Sequence, residues 1–332
     1  MKPNSLTENA LKIIDNRGKF AIEGASEKIL QNQFGEGIIS SALEYYAKTV
    51  LPAVLPIFPA LIYLSCKAVG GNPKKTKNLA VFIMLVTSSG DIHDDIIDNS
   101  THKFRRKTVF GKYGRDVALL AGDVLLIQGM TLLQKNYDSL TTKQKTNIAD
   151  LINKSMIEIV KAESLESSLW MKADVTPQEY YEVINLKGDI AELHCKIGGI
   201  IGCADENALD DIARYGKVIG ILSTMKEEFT DLLNPSELKH RIRKELPPYP
   251  MLCALQNDNI KRQIIPVTGK TKLSHKDLQF ISKTVLTSME VKKLKGELRE
   301  LGENELASNK LLKNNGAAEE LAILIEALTA EL

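Results

Sequence analysis

Residues Val117–Met130 read VALLAGDVLLIQGM, and at 3.6 residues per turn their apolar side chains cover almost the whole circumference. A helix that is apolar all round belongs in the middle of a bundle, so this stretch sets the expected fold class. Ala80–Ile92, AVFIMLVTSSGDI, is similar. Val291–Glu300, VKKLKGELRE, is instead polar, with opposite charges at helical spacing, and predicts a solvated surface helix. Most other segments keep the helical period. The best alternating run, Gln263–Val267, is a short and weak strand signal. Breaks are expected at Gly70–Pro73, Asn99–Thr108, Asp174–Pro177 and Pro235–Pro250, where Gly, Pro and Asn gather. No Gly/Ser or Pro-rich linker and no solenoid-length repeat interrupts the chain. Residues 1–332 therefore predict one all-α domain of roughly ten or more helices.

Composition agrees. Apolar residues make up 44% and charged residues 26%, with aromatics at 5%, as in a soluble globular protein rich in helix formers. A formal net charge of +1 argues against a broad nucleic-acid surface or a polybasic membrane anchor. Cys66, Cys195, Cys203 and Cys253 form no C-x-x-C pair, so reduced and mostly buried thiols are expected rather than a zinc site or disulfide framework. The first twenty residues carry no apolar core of a secretory signal. The most hydrophobic stretch, Leu51–Leu64, is short and broken by Pro52, Pro56 and Pro59. No transmembrane segment is expected, and the cytoplasm is the expected compartment.

Two acidic clusters carry the chemistry. Asp94, Asp95 and Asp98 end the apolar run from Ala80, and on a helix Asp94 and Asp98 lie one turn apart on the same face. Carboxylates crowded at the end of a buried helix repel one another unless a cation holds them. Hard oxygen ligands with room for water and phosphate oxygens suit Mg²⁺. Glu227, Glu228 and Asp231 repeat the i, i+1, i+4 spacing after another apolar stretch, Val218–Leu222. Taken singly, each cluster also fits a solvated charged turn; as a pair they predict facing metal ligands that turn a diphosphate into a leaving group. Arg105, Arg106 and Lys107 follow the first cluster, Lys187 lies between the two in sequence, and Arg241, Arg243 and Lys244 follow the second. Each alone fits a solvated surface cation; together they supply counter-charge for a diphosphate.

At these residues the chain resembles the trans-isoprenyl diphosphate synthases, which make farnesyl and geranylgeranyl diphosphate. The resemblance covers about Val50 to Leu255. Its most specific part is Ile92–Gly129, with the Asp-rich motif, the Arg pair, Lys107-Thr108-Val109 and the helix containing Leu120-Ala121-Gly122-Asp123 in order. It implies an isoprenoid synthase-type helical bundle around a central apolar cavity, usually a homodimer. It also implies Mg²⁺, about three ions bound together with the substrate diphosphate. By position, Asp94, Asp95, Asp98, Glu227, Glu228 and Asp231 would ligate metal. Arg105, Lys187 and Lys244 would bind and activate the allylic diphosphate, and Arg106 would belong to the isopentenyl diphosphate side. Lys187 matches the lysine of the family's Lys-Thr motif, with Gly188 in place of Thr, and Lys244-Glu245 resembles its later Lys-Asp pair. Ser89 and Gly90, small residues before the first motif, imply room along the cavity for a long prenyl chain. Glu163, Glu166 and Trp170 fall where the family lines its cavity. Asp91 fits either a helix-face carboxylate paired with a lysine or one that touches the cation or a metal-bound water, and His93 a packing or hydrogen-bonding residue rather than a ligand.

The resemblance is incomplete. The family's basic segment falls on Val54–Pro59, VLPIFP, which holds no cation, its His on Thr87, and its Phe-Gln on Ser223-Thr224. The resemblance thus implies an intact allylic half of the site and, Arg106 apart, a largely erased isopentenyl diphosphate half. Three readings follow: a divergent elongating prenyltransferase using other cations such as Arg106, Lys48 or Lys67; a synthase-like terpene synthase that ionises an allylic diphosphate without isopentenyl diphosphate; or a non-catalytic partner subunit of an active synthase.

Overall fold

The computed structural model describes residues 5–31, 36–103, 106–135, 140–172, 174–311 and 315–332. Within them the helical period resolves into fifteen α-helices. These begin with α1 (Ser5–Leu30), α2 (Ile38–Tyr45), α3 (Ile57–Ala68) and α4 (Lys77–Ile97). A π-helical turn, Tyr46–Val50, joins α2 toward α3. A two-residue-stranded hairpin, β1 (His102–Lys103) and β2 (Arg106–Lys107), follows α4. Next come α5 (Val109–Tyr113), α6 (Arg115–Lys135), α7 (Thr142–Trp170), α8 (Pro177–Ile201) and α9 (Glu206–Leu233). The chain ends with α10 (Pro235–Lys244), α11 (Tyr249–Ala254), α12 (Asp258–Thr268), α13 (His275–Thr287), α14 (Met289–Ser308) and α15 (Gly316–Ala330).

Local sequence sets these boundaries. Thr141 and Thr176 open α7 and α8 with capping boxes to Gln144 and Glu179, satisfying amide groups that the first turn leaves free. Asn99 adopts φ 58° just beyond α4, and Ser100 N–H donates to the Asp95 carbonyl at 2.9 Å, which turns the chain out of the helix. Two sequence expectations are corrected here. Gln263–Val267 is not a strand but part of α12, because five residues cannot distinguish the two periods and Asn257 caps a helix running through them. Pro235–Pro250 is not an unbroken loop: Asn234 caps α10 and Pro235 occupies its first turn, a helix-start signal that resembled a break.

Helix α8 lies against α3, α7 and α9, and α4 against α1, α3 and α6. The α8–α9 crossing is close because glycines meet there. A Cβ added to Gly220 would stand 2.8 Å from the Gly188 Cα, and one on Gly188 would stand 2.8 Å from the Ile221 side chain. Fully buried Val183, Cys195, Ile212, Tyr215 and Leu222 fill the same layer.

Helix α6 differs from its prediction. Ala118, Ala121 and Leu125 are buried against α4, where Gly122 makes a notch for the His93 ring, but Leu119, Leu120 and Ile127 are 47%, 51% and 64% exposed. The all-round apolarity thus reports a second face that the described residues do not cover, not a central position. By length and composition Arg115–Leu133 is also apolar enough to cross a membrane. In α14 the polar run is solvated on one face only, since Val291, Leu294 and Leu298 are buried.

Candidate active site

The first acidic cluster occupies the last turn of α4. Asp94 is half-buried, and Asp95, 3% exposed, turns inward. The hairpin that follows brings Lys103 back onto this cluster. Its Nζ stands 3.0 Å from Asp91, 2.9 Å from Asp95 and 3.9 Å from Asp94. The hairpin is pinned from outside: Arg106 Nη1 donates to the Thr49 carbonyl at 2.6 Å, and Tyr45 Oη donates to the Lys107 carbonyl at 2.7 Å. Asp91 therefore has a lysine partner, the first of the two readings its sequence position leaves open. His93 packs on α6, 3.4 Å from Asp123, as a packing residue.

The second cluster ends α9 and divides in two. Glu228 is buried and accepts from Tyr180 Oη at 2.9 Å, from the Tyr249 amide at 2.6 Å and from Arg241 Nη2 at 3.2 Å. Arg241, itself buried, also donates to Asp231 at 2.6 Å and to the Leu246 carbonyl at 2.8 Å. Glu228 is thus an anchoring carboxylate for Arg241, whereas Glu227 is solvent-accessible.

Lys187 on α8 connects the clusters. It donates to Glu166 at 2.7 Å and lies 3.8 Å from Glu163, both on α7. Its field reaches Asp94 on one side and Glu227 on the other, lowering both carboxyls. Although both side chains keep some contact with solvent, the protein around them desolvates the carboxyls enough to outweigh the lysine and raise each above its ordinary value. Burial, with the nearby Asp94 and Glu245 charges, pushes Asp98 up to about 8. Burial likewise brings Glu163, and Glu245 just beyond α10, to about 7. At Glu166 burial is outweighed by Lys187 and Arg241, which hold the carboxyl below its usual value. Burial lifts Asp95 to about 7 even beside Lys103. Lys103 is shared by several acids, which raise it above an ordinary lysine despite burial, so it carries the firmer charge of that pair.

The site gathers ten carboxylates: Asp91, Asp94, Asp95, Asp98, Glu163, Glu166, Glu227, Glu228, Asp231 and Glu245. Three cations, Lys103, Lys187 and Arg241, face them. An all-oxygen donor set with surplus negative charge fits a hard divalent cation. Among the described residues no three such side chains converge tightly enough to hold an ion unaided. Water or a diphosphate would complete the coordination.

The other residues singled out from sequence lie elsewhere. Arg105 is outside the described residues. Arg106 is exposed and bound to Thr49, and Lys244 is exposed at the end of α10. Ser89 is buried within α4, while an added Cβ at Gly90 would meet open space. The Leu55–Pro59 wall is apolar as expected: Phe58 stacks on His194, ring centroids 4.5 Å apart. Burial pushes that imidazole down to about 4, so it is neutral. Thr87 and Thr224 donate to carbonyls of their own helices, at 2.9 and 3.0 Å. Sequence reasoning did not single out Lys103 or Tyr180; no motif marks them, and only the hairpin fold and the α8–α9 packing bring them in.

The model of the family described as Polyprenyl synthetase matches residues 55–285. The geranylgeranyl diphosphate synthase of Methanosarcina mazei is 30% identical over 186 residues, 56% of this chain and 57% of that protein. A short chain isoprenyl diphosphate synthase of Methanothermobacter thermautotrophicus is 29% identical over 182 residues, 54% and 55% of the two chains. The chain thus spans a little over half the length of these relatives. The solved geranylgeranyl pyrophosphate synthetase of Pyrococcus horikoshii superposes with a TM-score of 0.83 at 21% identity, covering 97% of this chain and 98% of the other. A decaprenyl diphosphate synthase of Rhodobacter capsulatus gives 0.79 at 16%, over 97% and 98%. At these identities the solved structures bear on the fold, and the fold they share is all-α.

Proposed function

Because the chain belongs to the polyprenyl synthetase family, we propose that it ionises an allylic prenyl diphosphate and condenses it with isopentenyl diphosphate. The observation that supports this reading is Lys187 on α8, held at 2.7 Å by Glu166 and 3.8 Å from Glu163 of α7, in the same site as the acidic ends of α4 and α9. Mg²⁺, about three ions by family resemblance, would supply Lewis-acid charge for the departing diphosphate. Asp94, Asp98 and Glu227 would hold it, with Asp231 beside Arg241 a further donor. Lys187, oriented by Glu166, would bind a diphosphate oxygen as the leaving group gains charge. Gly90, facing open space, leaves room for the prenyl tail.

The Phe58–His194 stack supports a second reading. A neutral, apolar wall stands where the resemblance would place the cations for isopentenyl diphosphate. Binding a multiply charged diphosphate against it carries a heavy desolvation penalty. A synthase that ionises the allylic substrate and quenches the cation with water or an internal double bond needs no such cations. A non-catalytic partner subunit is the third reading; retention of acids at all six motif positions speaks against it.

One incubation distinguishes them. With Mg²⁺ and farnesyl or geranylgeranyl diphosphate, elongation yields longer diphosphates only when isopentenyl diphosphate is added. Diphosphate release without it, giving an alcohol or hydrocarbon, establishes the second reading. Activity appearing only with a catalytic homologue establishes the third. Asp94→Ala and Glu227→Ala should each abolish metal-dependent diphosphate release while far-ultraviolet circular dichroism stays unchanged; normal turnover by the double variant would overturn the metal assignment. The exposed apolar face of α6 supports assembly as a homodimer.

A further inference from the structure

The geometry points to Lys103 as a built-in cation of the first carboxylate cluster, claiming Asp91 and Asp95 and leaving Asp94 and Asp98 to the metal. The inference rests on the reading of this site as a divalent-metal site. Lys103 makes two close ion pairs, at 3.0 Å to Asp91 and 2.9 Å to Asp95, and a looser one at 3.9 Å to Asp94. Asp91 and Asp95 are one helical turn apart, so one ammonium bridges the same i, i+4 span that a metal would use.

Three observations make this more than a surface contact. Asp95 is 3% exposed, so its carboxylate needs a partner that is present whether or not metal is bound. The lysine is not on a free loop: its hairpin pairs His102 with Lys107 and Lys103 with Arg106, and both residues of β2 are tied to the Tyr45–Thr49 segment. The Tyr46 and Ser88 hydroxyls are buried beside this cluster, with Tyr46 within the field of Asp91, Asp95 and Lys103. A divalent ion between Asp91 and Asp95 would have to expel the ammonium or sit against it. Asp94, which lies within the field of Lys187, and Asp98, one turn further along, are left for a metal and a diphosphate. Lys103 is therefore a positioning residue: it fixes which carboxylates of the cluster remain for metal, and how many ions the site takes.

The test is the number of Mn²⁺ ions bound per chain, measured by electron paramagnetic resonance on the full-length protein with inorganic diphosphate present. Lys103→Met should bind one more Mn²⁺ than the unsubstituted chain, and Lys103→Arg should bind the same number as it. Asp91→Asn should leave the number unchanged, whereas Asp94→Asn should lower it. That pair gives an answer even if Lys103→Met does not fold. An unchanged number in folded Lys103→Met, or a lower number in Asp91→Asn, would overturn the role of Lys103 while leaving the metal reading intact. No Mn²⁺ bound by the unsubstituted chain would overturn both.

Discussion

Glu228 accepts from Arg241, Tyr180 and the Tyr249 amide at once, and Arg241 returns to Asp231 and the Leu246 carbonyl. A buried ion pair of this kind adds little net stability, but removing one partner leaves an uncompensated charge. Arg241→Met should therefore lower unfolding free energy by about 3–5 kcal/mol in urea titration. Adding Glu228→Gln should restore part of the loss; a variant as stable as the parent would show that the network is not closed. The neighbouring acids make a separate prediction. Asp98 stands at about 8, and Glu163 and Glu245 at about 7, all raised by burial. Unfolded, they titrate near 4. Between those limits the folded state holds more protons than the unfolded state, so metal-free stability falls as pH rises from about 4 through 8. Melting temperatures without metal should be higher at about pH 6 than at about pH 8, and Mg²⁺ should stabilise more at the higher pH. A metal-independent profile would contradict the site.

At the scale of elements, the α8–α9 crossing explains why Gly188 stands where the resembled family carries Thr. A Cβ on Gly188 would lie 2.8 Å from Ile221, and the Gly220 position is equally tight. Gly188→Thr should cost about 1–3 kcal/mol through overpacking. Gly296→Ala, on the exposed face of α14 with nothing within 4 Å of the added Cβ, should instead stabilise by about 0.4–1 kcal/mol. Urea midpoints measure both, and equal effects would contradict the packing argument. This scale also separates what the residues disclosed from what they did not. Asp94 with Asp98, and Glu227 with Asp231, were legible because helical spacing alone puts each pair on one face. The different fate of Glu228 was not, because its partners Tyr180, Arg241 and Tyr249 come from three other parts of the chain. Lys103 was hidden for the same reason: only a hairpin tied to Thr49 carries it back to Asp91. The helical period of Val117–Met130 gave the right element but not its surroundings, since periodicity cannot say whether an apolar face is covered by the same chain.

Over the whole molecule, the exposed face of α6 holds Leu119, Leu120, Ile127 and Met130 in one stripe along the helix. Such a row needs a cover in water. Arg115–Leu133 is long and apolar enough for a membrane, but Asp123 sits in the middle of that face, its side chain 52% exposed. A carboxylate at the centre of a lipid-facing helix costs about 2.5–3.5 kcal/mol, so a protein cover is favoured over lipid. A second copy of the chain is the simplest such cover, because a two-fold axis buries the same stripe on both protomers with one surface. In light scattering coupled to gel filtration the unsubstituted chain should therefore run as a dimer. Leu120→Lys with Ile127→Glu should give monomers of unchanged helicity, since both side chains point away from the α4 contact. A monomeric unsubstituted chain, or a double variant still dimeric, would place the interface elsewhere. The α4 carboxylates lie on the helix that α6 packs against, with His93 seated at Gly122. Dissociation should then weaken Mg²⁺-dependent thermal stabilisation as well, and an unaltered metal response in the monomer would show that assembly and metal site are independent.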